Sequence, residues 1–103
     1  MKSRNHNLNI HYSLPKEAWD KIVILYTEMP YWKGFIGGCP QWYGEENDER
    51  LIEASVEPGG LLFFAKLPPE EWNQWFDLFK RKATELLGYE VGEPEDGFDF
   101  PAV

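Results

Sequence analysis

The chain has 103 residues, of which 43% are hydrophobic, 17% aromatic and 27% charged, and its formal net charge is -8 at pH 7. This length suits one domain rather than two. The aromatic content excludes a disordered chain, because burial of large apolar groups offsets the entropy lost on ordering. The acidic balance excludes general affinity for nucleic-acid backbones, which need a basic surface.

Targeting and redox features are few. The longest uncharged apolar run, residues 61–65, is far too short to cross a bilayer, which takes about 20 residues. Residues 1–9 lack the apolar stretch of a secretory signal. The single cysteine, Cys39, cannot form an internal disulfide. We therefore expect no membrane association and a cytoplasmic protein.

The first elements follow from periodicity. Residues 1–7 are expected to be a flexible N-terminus, and residues 8–14 alternate apolar and polar side chains, which predicts a strand. The next segment carries apolar residues at helical spacing and therefore predicts an amphipathic helix: Trp19, Ile22, Val23 and Tyr26. Pro30 ends this helix, because proline removes a backbone donor.

The second half of the chain predicts a hairpin and a second helix. Residues 51–57 and 61–67 are two apolar stretches joined by a Pro-Gly-Gly turn, which predicts antiparallel pairing. Pro68 and Pro69 begin a helix that Gly88 ends. Residues 89–91 are expected to form a short last strand, and residues 93–103 an acidic tail.

An internal sequence repeat, which we call the echo, suggests how these elements assemble. Residues 14–19 and 67–72 share Leu, Pro, Glu and Trp at an offset of 53 positions. Two strand-turn-helix halves in the order βαββαβ predict a ferredoxin-like α+β sandwich for residues 8–92, with both helices on one face of a four-stranded antiparallel sheet. This fold hosts many functions and therefore indicates none.

The connection between residues 30 and 50 breaks the echo. It is longer than connections in compact domains usually are, and long connections of this kind are often functional. Tyrosine and tryptophan are enriched at binding hot spots. The aromatic residues of this connection are therefore candidate partner-binding residues: Tyr31, Trp32, Phe35, Trp42 and Tyr43. The alternative is that these rings cover the open sheet face, where Leu62 and Phe64 are expected to lie.

Acidic residues follow the rings directly. The sequence adds four carboxylates to the candidate site: Glu45, Glu46, Asp48 and Glu49. An aromatic centre with an acidic rim suits a basic protein surface, because carboxylates pair with arginine and lysine and steer their approach. The tail repeats this chemistry, with Phe98 and Phe100 among further acids.

Catalytic and cofactor signatures are weak. The histidines, His6 and His11, have no spacing that places either beside Cys39 as a nucleophile and base. The acidic run lacks the spacing of a calcium loop, and no metal, cofactor or catalytic residue is predicted. An enzyme built from ordinary carboxylates is left open, since any two of the 18 acids could meet in the fold.

The sequence thus favours a cytoplasmic, non-catalytic module whose segment 31–49 engages a basic protein, for example as an inhibitor or immunity-type protein. The alternative is a ferredoxin-like homodimer, paired through the open sheet face, that binds a small molecule or catalyses a reaction between the sheet and the segment 31–49. A third hypothesis is a structural subunit of a larger assembly. No binding to nucleic acid is expected.

Overall fold

The computed structural model describes residues 3–44 and 47–101. The elements, in chain order, are β1 (Ser3–Leu8), α1 (Lys16–Glu28), β2 (Trp32–Ile36), β3 (Cys39–Trp42), β4 (Leu51–Glu57), β5 (Gly60–Lys66), α2 (Pro69–Leu87) and a 3-10 turn (Pro94–Asp96). The strands form one antiparallel sheet in the order β1-β5-β4-β3-β2. The predicted α+β class, with two helices, is confirmed.

The ferredoxin-like prediction of a four-stranded sheet is wrong, because the described residues form five strands and β1 pairs antiparallel with β5. The first strand lies at Ser3–Leu8, in the segment expected to be flexible, and not at residues 8–14. Leu8 and Ile10 are buried as the alternation implies, but the chain then turns, and the Leu14 N–H donates to the His11 carbonyl. The apolar alternation over residues 8–14 therefore holds only in part, since Tyr12 is exposed and Asn9 is buried, and most of the segment is not a strand.

Both helices begin directly after a proline. Pro15 and Pro68 have nearly the same backbone angles, with φ of -55° and -56°, and α1 and α2 start 53 positions apart, as the echo predicts. The strands do not share this relation, since β1 shifted by 53 positions falls on residues 56–61, across the turn between β4 and β5, and not along β5. The echo thus reflects two similar helix starts within an asymmetric sheet.

The core lies between the sheet and both helices. Trp42 of β3 contacts Tyr26 of α1, with ring centroids 5.4 Å apart, and Trp75 of α2, at 4.9 Å. Phe63 of β5 packs against Phe79 of α2 at 5.0 Å. These shared contacts place α1 and α2 on the same face of the sheet. Within the residues that the structure describes, neither helix is long and apolar enough to cross a membrane.

The segment between α1 and β4 is partly sheet rather than loop. β2 and β3 form a hairpin on the outer side of β4, with a register shift between Trp32 and Gly34, where φ at Gly34 is 110°. Trp32 faces Trp42, which packs against the helices. These indoles therefore do not cover the opposite sheet face.

The predicted strand at residues 89–91 is absent from the described structure. The backbone of this segment is hydrogen-bonded to Asn9, which is 1% exposed, and not to a neighbouring strand. Its amide nitrogen donates to the carbonyls of Glu90 and Asp99, and its side-chain oxygen accepts from the Gly92 N–H. Tyr89 donates its hydroxyl to the Asn9 carbonyl. Side-chain hydrogen bonds thus satisfy backbone groups that a sheet ladder would otherwise pair.

Candidate functional site

Two tyrosines close the open end of the β2–β3 hairpin. Tyr31 precedes β2 and Tyr43 follows β3, and their rings stack with centroids 4.3 Å apart. The Tyr43 N–H donates to the Tyr31 carbonyl at 2.8 Å. Both residues have positive φ, 68° at Tyr31 and 90° at Tyr43, a region that bulky side chains rarely adopt. We call these two residues the tyrosine pair.

The tyrosine pair is exposed on one side only. Tyr31 is 61% exposed, whereas Tyr43 is 6% exposed and lies beneath it. A concavity of about 340 Å³ is lined by the pair and Arg50, and another of about 270 Å³ is lined by the pair and Leu78 of α2. The Tyr31 ring therefore stands as a ridge between two shallow depressions.

A cluster of charged side chains lies beside the tyrosine pair. Arg50 donates from Nη2 to Asp48 at 2.6 Å and from Nη1 to Glu71 of α2 at 3.0 Å, and its guanidinium carbon lies 5.3 Å from the centre of the Tyr43 ring. The Arg50 backbone N–H also donates to the Asp48 carboxylate. We call Asp48, Arg50 and Glu71 the Arg50 network; it ties the chain before β4 to the first turn of α2.

Titration in this site follows from these contacts. Hydrogen bonds from Arg50 lower the pKa of Asp48, and the same bonds raise the pKa of the Arg50 guanidinium above its usual range. Burial raises the pKa of Tyr43 to about 12, and the nearby Glu71 carboxylate adds to the rise. Near neutral pH the tyrosine pair therefore presents a neutral Tyr43 next to a closed ion pair.

The predicted aromatic residues divide into two groups. Trp42 is fully buried, and its indole N–H donates to the Tyr26 carbonyl, so it is a core residue and cannot present its ring to a partner. Trp32 is partly buried against it. Phe35 is 52% exposed near the far end of the hairpin, and Tyr31 is exposed at the near end.

The predicted acidic residues divide similarly. Glu49 is exposed, whereas Asp48 is engaged by Arg50. Glu45 and Glu46 lie outside the described residues. The acidic rim is therefore reduced by one carboxylate relative to the expectation from the sequence.

Sequence reasoning missed Arg50 and Glu71 as parts of this site. Arg50 ends the acidic run, and a base directly after four acids is a local signal that could have indicated the ion pair. Glu71 carried no such signal, because only the packing of α2 beside the hairpin brings it within 3.0 Å of Arg50.

The histidines lie apart from Cys39. The His6 ring packs against Trp72, with centroids 5.2 Å apart, and its Nδ1 lies 3.0 Å from the Glu93 carboxylate. His11 is hydrogen-bonded to Ser13. In the part of the chain that the structure describes, no three His, Cys, Asp or Glu residues form a group that could hold a metal ion.

Comparison with known protein families, with curated proteins and with solved structures yields no match to this chain.

Proposed function

We propose that this protein is a non-catalytic module that binds a basic protein, and that the tyrosine pair is the centre of the contact. The observation that carries the proposal is the exposed Tyr31 ring on a strained backbone. A residue with positive φ of this kind costs about 1–3 kcal/mol and persists only where the surrounding structure enforces it. Such residues cluster at binding sites, where the strain pre-organises a side chain.

The surroundings of Tyr31 suit a protein surface as the ligand. The ring stands between two shallow depressions into which side chains of a partner could fit. Tyrosine offers a rigid apolar face and a hydroxyl that forms hydrogen bonds, so it loses little entropy on binding. This arrangement favours a contact of the hot-spot kind at the ridge.

The negative charge of the chain suggests that the partner is positively charged. The chain carries -8, and Glu49 is exposed beside the Arg50 network, while Glu45 and Glu46 precede it in the sequence. A field of this sign accelerates encounter with a basic surface. Blocking of such a surface is how an inhibitor or immunity-type protein would act. Cytoplasmic residence, which the lone cysteine favours, is part of the proposal.

Affinity capture with matched tyrosine variants tests the proposal. Tyr31→Ala and Tyr12→Ala each remove one exposed ring, 61% and 59% exposed, at different places on the molecule. We expect wild type and Tyr12→Ala to retain one basic protein from the native host, identified by mass spectrometry, and Tyr31→Ala to lose it. Equal retention by both variants, or an acidic captured protein, would contradict the proposal.

Association kinetics test the steering step separately. Neutralising Glu45, Glu46 and Glu49 to glutamine leaves the Asp48–Arg50 pair intact. We expect the association rate constant to fall by about tenfold or less at low salt and the difference to shrink as salt is added. A change confined to the dissociation rate would remove the electrostatic argument and leave the aromatic contact.

The homodimer hypothesis remains as the alternative proposal. This hypothesis placed a site between the sheet and the segment 31–49. Residues 32–36 and 39–42 are themselves strands of the sheet, so the segment is largely part of the sheet and not a separate loop over it. The face that would pair carries Leu62 and Phe64, both partly buried. Sedimentation of the purified protein distinguishes this alternative from the module that binds a basic partner.

A further inference from the structure

The sheet opens between β3 and β4. In the described residues these strands pair only at Gln41 with Glu53 and at Trp42 with Ile52. Beyond that point β3 continues beside β2, and β4 continues beside β5 as far as Glu57. The gap between the diverging strands, bounded by Cys39 and Pro40 on one side and Ala54–Val56 on the other, is termed the β3–β4 cleft.

Pro40 accounts for this opening. Backbone groups of an antiparallel strand alternate between its two neighbours. The Tyr43 N–H points to the β2 side, where it donates to Tyr31. By alternation the backbone nitrogen of Pro40 points toward β4, and proline has no hydrogen to donate there. The next bonded pair, Pro40 with Ala54, therefore does not form in the ladder.

The same alternation exposes the edge of β4. Trp42 and Ile52 form the pair whose backbone groups face each other across β3 and β4. Ala54 and Val56, two and four residues further along, direct their N–H and C=O groups to the same side, and within the described residues neither has a paired partner in β3. Unpaired groups of this kind form the edge on which an extended chain adds as a strand.

The helix-facing side of the cleft is apolar. The concavity has a volume of about 380 Å³ and is lined by Trp19, Val23 and Tyr26 of α1 and by Phe35 of β2. Val56 is 50% exposed at its mouth, although it belongs to a strand that is otherwise buried on this face. An apolar side chain of an added strand would cover these groups.

The opposite side of the cleft is acidic. Glu53 and Glu57 alternate with Ala54 and Val56 along β4, so their side chains lie on the face away from the helices. Glu53 accepts a hydrogen bond from Nε2 of its paired neighbour Gln41 at 2.7 Å, whereas Glu57 lies beyond the paired part of β3. The lining of the concavity includes no lysine or arginine. A basic residue directly beside Glu57 on an added strand would form a favourable cross-strand pair.

We propose that the β3–β4 cleft binds an extended segment of a partner protein, in which apolar and basic residues alternate, as an added strand on β4. The apolar side chains fill the concavity against Tyr26 and Phe35, and a basic side chain meets Glu57. This surface shares no lining residue with the tyrosine pair and so goes beyond the proposed function.

The test uses a defined probe, a short peptide of alternating lysine and valine with capped ends. It is titrated into the ¹⁵N-labelled full chain, and amide chemical shifts are followed. We expect shifts at residues 38–41 and 53–57, with little change at Tyr31 and Tyr43. A peptide of alternating glutamate and valine should bind at least about tenfold more weakly, since like charges directly opposite each other repel.

Two further comparisons test the charge and the backbone. Glu57→Lys should weaken binding of the lysine peptide by about tenfold, whereas Glu85→Lys, the same charge change on α2, should change it less than about twofold. A strand bonds its neighbour through alternate residues. N-methylation of the valines or of the lysines should therefore abolish binding in one of the two peptides only.

Several results would overturn the proposal. Shifts confined to the tyrosine pair would show that basic peptides use the site of the proposed function alone, and no shift at millimolar peptide would show that the cleft takes no strand. Equal binding of both N-methylated peptides would exclude strand addition. Concentration-dependent broadening at residues 38–41 and 53–57 without peptide would assign the cleft to a second copy of the chain.

Discussion

At the scale of single residues, one hairpin holds two aromatic side chains with opposite roles. Trp42 is buried among four rings and donates its indole N–H to a main-chain carbonyl, whereas Tyr31 stands exposed one strand away. Burial of an indole of this size stabilises the fold by several kcal/mol, on the order of the 3–5 kcal/mol lost when such a ring is truncated. Tyr31 is free for contact because Tyr43 and Arg50 support it from beneath.

The raised pKa of Tyr43 predicts a loss of stability at alkaline pH. An unfolded tyrosine ionises near pH 10, whereas folded Tyr43 keeps its proton until about pH 12. Its contribution is therefore fully present below pH 10 and is lost as pH rises through this window. Tyr43→Phe should make the fall between pH 9 and pH 11 shallower by up to about 1 kcal/mol.

Urea unfolding at pH 9, 10 and 11 measures this effect, with Tyr12→Phe as the control. Burial also raises the pKa of Tyr89 to about 12 and the pKa of Tyr26 further, so part of the slope remains in the Tyr43→Phe variant. An unchanged slope in that variant would show that Tyr43 ionises as freely in the fold as in the unfolded chain.

At the scale of elements, the β4–β5 hairpin is the scaffold on which the edge strands assemble. Its turn, Pro58-Gly59, joins strands that pair from Leu51 with Lys66 to Glu57 with Gly60. β1 then lies against β5 at the same end, where Leu8 pairs with Leu61. Gly60 has φ of 126°, and a Cβ there would overlap the Leu8 carbonyl oxygen. The hairpin thus requires glycine where β1 approaches.

Substitutions of adjacent glycines test this requirement. Gly60→Ala should lower the free energy of unfolding by about 2 kcal/mol or more, since it combines a strained φ with a backbone overlap. Gly59→Ala has no close neighbour nearer than 4.0 Å and should change it by less than about 1 kcal/mol. Chemical denaturation of both variants gives the comparison, and similar losses would show that β1 can shift away at no cost.

At the scale of the whole molecule, a buried amide ties the C-terminal segment, residues 90–99, to the chain that follows β1. Asn9 follows β1 and holds residues 90–99, and His6 of β1 contacts Glu93. Gly92 and Val91 are buried in consequence. The C-terminal segment is thus part of the packed domain, whereas the sequence suggested an acidic tail, residues 93–103, outside a domain of residues 8–92.

Removal of the Asn9 side chain should release this segment. Asn9→Ala leaves the Gly92 N–H and two carbonyls without partners, at about 1–3 kcal/mol for each buried group that water cannot reach. We expect lower stability and faster hydrogen exchange at the Gly92 amide. Asn73→Ala, at an exposed position on α2, is the control. Unchanged exchange at Gly92 would show that the backbone contacts alone hold the segment.

The sequence by itself determined the elements whose signals are local. Helix spacing and the prolines at 15 and 68 located α1 and α2, and the alternation around Pro58 located the β4–β5 hairpin. These signals suffice because each element forms from contacts between neighbouring residues. The sequence also singled out the segment 31–49, which contains Tyr31 and Phe35, as unusual.

The tertiary structure alone decided where strands without apolar alternation belong and which rings are exposed. Ser3–Leu8 is largely polar and became a strand only because the edge of β5 pairs with it. Trp42 and Tyr31 belong to the same aromatic segment, yet one is in the core and one at the surface. Such outcomes depend on residues far apart in the sequence, because the strand that pairs with a segment and the side chains that bury a ring come from distant parts of the chain.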